Sequence, residues 1–89
     1  MTHLRLQIVN IKGLHARASA KLVEVVERFD ATALVVKDGQ SASGDSIMGL
    51  LMLAASKGTF IEVETKGAQA DELANAIAAL VANKFGEGD

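Results

Sequence analysis

The sequence predicts an α+β fold: a two-layer open-faced sandwich in the order β-α-β-β-α-β-α, with a four-stranded, mainly antiparallel sheet and three helices on one face. Three observations predict it. Apolar and polar residues alternate over short runs, the period of strands with one buried face. Other runs carry apolar residues at helical spacing. Three helices with one apolar stripe each are all satisfied by covering a single side of one sheet.

Leu4, Leu6 and Ile8 alternate with Arg5, Gln7 and Val9, which predicts the first strand; Asn10-Ile11-Lys12-Gly13 breaks it. From His15 to Phe29 the spacing turns helical, with Leu22, Val23, Val26 and Phe29 opposite Lys21, Glu24, Glu27 and Arg28. Thr32 to Lys37 and Gln40 to Ser43 flank Asp38-Gly39, a pair suited to a tight hairpin turn. Ser46 is the natural N-cap of a short second helix from Ile47 to Ala55, weakened by Gly49 and ended by Lys57-Gly58. Thr59 to Thr65 alternates again and forms the fourth strand. Leu73, Ala76, Ile77, Leu80, Val81 and Phe85 share one stripe of a last helix over about residues 69–84, and residues 86–89 are expected to fray.

Eighty-nine residues, 49% of them hydrophobic, describe a single domain over residues 1–89. The absence of cysteine removes disulfides, thiol nucleophiles and Cys-based zinc sites, and makes the cytoplasm the expected compartment. Nine Lys plus Arg against eleven Asp plus Glu, well mixed and without Tyr or Trp, disfavour nucleic acid. The N-terminus lacks an apolar signal core, and the longest apolar run, Leu50 to Ala55, is too short to cross a bilayer. The two histidines do not make a metal site, and neither Ser19 nor Ser46 has an adjacent base for hydrolase chemistry. His3, at the start of the first strand, is assigned no function.

The informative stretch is Gly13-Leu14-His15-Ala16-Arg17-Ala18-Ser19. His15 sits where a helix begins, beside free backbone N–H groups and the positive end of the macrodipole. That field stabilises an attached anion, and the lone pair of a neutral imidazole is a phosphoryl acceptor. Arg17, in the same turn, offers a planar fork of donors for phosphate oxygens. The stabilisation is modest, ~0.3–1 kcal/mol from the dipole, as suits a group that must release its load.

Gly-Leu-His-Ala-Arg resembles the active-site motif of the HPr family, the histidine-containing phosphocarriers of the bacterial phosphoenolpyruvate-dependent phosphotransferase system. Length and element order match as well, so the resemblance covers essentially the whole chain. A second motif, Ser46-Ile47-Met48-Gly49, resembles the family's regulatory-serine segment. The resemblance implies that His15 takes a phosphoryl group at Nδ1 from phosphorylated enzyme I, assisted by Arg17, and passes it to an EIIA-type acceptor. It implies a docking patch at Ile47, Met48 and Leu51, phosphorylation of Ser46 by an HPr kinase/phosphorylase, a monomeric carrier without independent turnover, and no cofactor. Ala18-Ser19 stands where the family more often has Pro-Ala, and this version resembles the nitrogen-type (NPr-like) branch. The competing function is a non-carrier regulatory module of the same fold, switched through Ser46; the pairing of His15 with Arg17 argues against it. An RNA-binding domain is the third and weakest alternative.

Overall fold

Alternation and helical spacing sort the side chains as the sequence requires. In the computed structural model, which describes residues 1–87, β1 (Thr2–Gln7), β2 (Thr32–Lys37), β3 (Gln40–Ser43) and β4 (Phe60–Lys66) form one antiparallel sheet in the order β1-β4-β2-β3. Val63 of the inner strand β4 stands between Leu4 and Val35. The helices α1 (Ala16–Glu27), α2 (Ile47–Met52) and α3 (Ala70–Ala82) make up the second layer. Ile8, Leu22, Leu50, Ile61, Leu73, Ile77 and Phe85 are fully buried between the layers. Each contributes about 1.5–3 kcal/mol by leaving water. On the other side of the sheet the Arg5 guanidinium lies over the Phe60 ring, 4.2 Å from its centroid.

Several boundaries differ from the sequence expectation. The first strand begins earlier, because Thr2 and His3 join the ladder opposite Thr65 and Glu64; His3 is paired with Glu64 at 3.6 Å. The second helix stops at Met52 instead of reaching Ala55. Its last turn tightens through i→i−3 bonds from Leu53 to Leu50 and from Ala54 to Leu51, and Ala54 then takes a left-handed φ of 53°. That reversal turns the Ala55 carbonyl toward the loop before α1, where it accepts from Leu14 N at 2.8 Å.

Phe85 fills the core as the apolar stripe implies, yet it does so from beyond the helix. After Ala82 the chain makes a left-handed turn, with φ of 56°, 55° and 76° at Lys84, Phe85 and Gly86. The expectation that residues 86–89 fray does not hold for Gly86 and Glu87. The buried Phe85 ring pins this segment, Lys21 Nζ donates to the Phe85 carbonyl at 2.6 Å, and the Glu87 side chain is only 14% exposed. Gly88 and Asp89 lie outside the described residues.

Candidate functional site

The loop from β1 to α1 decides where His15 stands. Gly13 adopts φ of +64°, a conformation that costs an L side chain about 1–2 kcal/mol. A Cβ there would also lie 2.9 Å from the Ser56 Cα. The Leu14 amide then bonds to Ala55, so the chain enters α1 braced against the segment after α2. His15 is the N-cap residue, in extended conformation, and its carbonyl receives the Ser19 amide at 2.8 Å. Its ring makes no capping bond to the helix. Ala16 and Arg17, the exposed residues of the first turn, lie at the helix's positive end.

The ring is flanked by two hollows. The larger is an open cleft of about 650 Å³ whose lining includes His15, Lys12, Arg17, Lys21 and Glu87. Three cationic side chains against one carboxylate make it a setting for an anion. The smaller, about 290 Å³, lies toward α2 and is bounded by Leu14, His15, Leu51 and Ala54 among others. On the cleft side, His15 Nε2 meets the Glu87 carboxylate through Oε2. Glu87 Oε1 in turn accepts from Asn10 Nδ2 at 2.9 Å, and the same Nδ2 donates to the Gly13 carbonyl at 2.8 Å.

The residues singled out from sequence distribute unevenly around this ring. Arg17 is exposed and shares the larger cleft with His15, as expected. Leu51, half-buried, reaches the smaller hollow. Ile47 and Met48 are 42% and 69% exposed at the start of α2, but neither borders that hollow. Ser46 caps α2 as predicted, its Oγ accepting from the Gly49 amide at 3.1 Å. Gly49 has a packing reason to be glycine, since a Cβ there would come within 3.2 Å of Ala42 on β3.

Sequence reasoning misses Glu87, Asn10 and Lys21. Glu87 is 72 residues from His15, in a segment whose composition predicts fraying, so no spacing pattern could pair them. Asn10 reads in sequence only as a strand breaker, and Lys21 only as the polar side of α1. The setting expected for the ring holds the helix field and Arg17; the structure adds a carboxylate. Ala18 and Ser19 are both fully buried, and Ser19 Oγ lies 3.4 Å from the Leu14 carbonyl. Among the described residues there is no cluster of metal-ligating side chains and no helix long and apolar enough to cross a membrane.

Comparison with known proteins fits this geometry. Residues 3–83 match the family described as "PTS HPr component phosphorylation site". The chain is 46% identical over 84 residues, 94% of either chain, to the phosphocarrier protein HPr of Neisseria meningitidis. It is 43% identical over 82 residues, 91% of either chain, to the phosphocarrier protein NPr of Escherichia coli K12. Its fold superposes on the crystal structure of HPr-C-His from Thermoanaerobacter tengcongensis with a TM-score of 0.94, covering both chains fully at 32% identity. A family match over most of the chain, carried by full-length relatives and a shared fold, leads to one conclusion: the chain belongs to the HPr family of the phosphotransferase system.

Proposed function

We propose that the protein is a phosphocarrier in which His15 accepts a phosphoryl group from phosphorylated enzyme I and passes it to an EIIA-type acceptor. The observation that carries this reading is the half-exposed His15 ring at the N-terminus of α1, uncommitted to capping and set in a cleft with Lys12, Arg17 and Lys21. Relatives named HPr and NPr are phosphocarriers by name and match nearly end to end. The group is carried at Nδ1. Arg17, as an exposed guanidinium in the same turn, binds phosphoryl oxygens during transfer. The protein is a stoichiometric relay component, cytoplasmic and monomeric, formed by one domain over residues 1–89, and it needs no cofactor of its own.

The exposed apolar side chains of Ile47 and Met48, with Leu51 at the hollow beside the ring, form the docking surface for both partners. Ser46 is a second, regulatory phosphorylation site for an HPr kinase/phosphorylase. A phosphate there would sit at the start of α2, where the dipole tolerates it, and would place about two negative charges beside Ile47 and Met48. The Ala18-Ser19 pair, by its resemblance to the nitrogen-type branch, places the carrier there in this reading; it leaves an amide N–H in the first turn where proline would have none.

Intact mass after incubation with phosphoenolpyruvate, magnesium and enzyme I tests the reading. One acid-labile phosphoryl addition is expected, lost in His15→Ala and kept in Ser46→Ala. No addition with an enzyme I of proven activity would overturn it. For Ser46, an HPr kinase with ATP should give an acid-stable adduct; an unmodified protein would leave Ser46 as a cap only.

A further inference from the structure

A buried amide, a carboxylate and the ring form a chain of contacts that the phosphocarrier reading does not require. Asn10 is fully buried, and both contacts of its Nδ2 are to oxygen acceptors, which fixes the amide with its nitrogen toward Gly13 and Glu87. Its Oδ1 has no hydrogen-bond partner among the described residues. The segment that delivers Glu87 carries two non-glycine residues in left-handed conformation, Lys84 and Phe85, at about 1–2 kcal/mol each. A backbone cost is thus borne where Glu87 is brought to His15.

We infer that Glu87, held by Asn10, is a positioning residue that fixes the tautomer of His15. A carboxylate only accepts, so the neutral ring carries its proton on Nε2 and its lone pair on Nδ1. The inference rests on the phosphocarrier reading and deepens it. In transfer, the Nδ1 lone pair forms the N–P bond while the bond between phosphorus and the donor breaks, its electron pair leaving with the donor atom. No proton moves. The ring keeps Nε2–H and gains positive charge, which the Glu87 carboxylate faces and stabilises, as a carboxylate does for an imidazolium in hydrolase triads. Delivery to the acceptor reverses these changes.

Glu87→Gln gives the sharpest test. With its side-chain oxygen accepting from Asn10, the introduced amide presents N–H to His15 Nε2, which must then accept and send its proton to Nδ1. Ring nitrogen NMR of the neutral protein should show Nε2–H in the wild type and a rise of the Nδ1–H form in Glu87→Gln. Phosphoryl uptake from enzyme I should fall on the order of tenfold or more. Glu87→Ala removes the acceptor without imposing a donor and should fall less; a side chain that merely packs would make Ala the more damaging change. Circular dichroism of both variants checks that each is folded. Unchanged tautomer and uptake in Glu87→Gln would overturn the role of Glu87 while leaving the carrier intact. A wild type that takes up no phosphoryl group would overturn the phosphocarrier reading, and the transfer role of Glu87 with it.

Discussion

Gly13 stands where the chain from β1 turns into α1, and its positive φ does two things at once. It lets the next amide, that of Leu14, meet the Ala55 carbonyl, and it presents its own carbonyl to Asn10. Gly13→Ala would strain the backbone and drive a methyl group toward Ser56. The expected loss is about 2 kcal/mol or more of stability, read from the midpoint of urea unfolding, together with slower phosphoryl uptake. A loss below about 0.5 kcal/mol would show that the loop yields to the side chain. The same residue illustrates what sequence conveys at this scale. Gly13 and His15 stand out because their chemistry is local, whereas nothing around Glu87 marks it as a neighbour of an imidazole.

At the scale of the element, α2 is held by its two ends. Ser46 satisfies one first-turn amide, so Ser46→Ala should cost about 1 kcal/mol, within the usual range for a lost cap. The far end behaves in the opposite sense. Ala54 sits in left-handed conformation, and glycine there removes strain of about 1–2 kcal/mol while adding about 0.5–1 kcal/mol of unfolded-chain entropy. Ala54→Gly is therefore expected to stabilise the protein by about 0.5 kcal/mol, measurable as a raised thermal midpoint. A lowered midpoint would mean that the Ala54 methyl group makes contacts worth more than its strain. Six residues of helix with an exposed Ile47 and Met48 add little core of their own, so these ends largely decide how firmly the surface beside His15 is presented.

Across the whole molecule, the layers and strand pairing are legible because periodicity reports which face each residue buries. The two apolar periods locate seven elements and most of the core. Boundaries are less legible where tertiary contacts override local pattern: α2 ends early to let Ala55 reach Leu14, and Phe85 enters the core through a left-handed turn. Of the site, the ring and Arg17 are visible in sequence and the Asn10–Glu87 support is not. Phe85→Ala tests how much the tail matters to the rest. Truncating this fully buried ring should cost about 3–5 kcal/mol, a large share of the roughly 5–15 kcal/mol that holds a domain together. A loss under about 1 kcal/mol in urea unfolding would show that the tail packs independently of the core.

The contacts that orient the ring span most of the sequence, 77 residues from Asn10 to Glu87 and 72 from His15 to Glu87. Closing separations of this length costs chain entropy, though the cost grows only slowly with length. A chain shortened at its far end would keep the ring and lose the group that orients it, so the tail belongs to the site although no motif contains it.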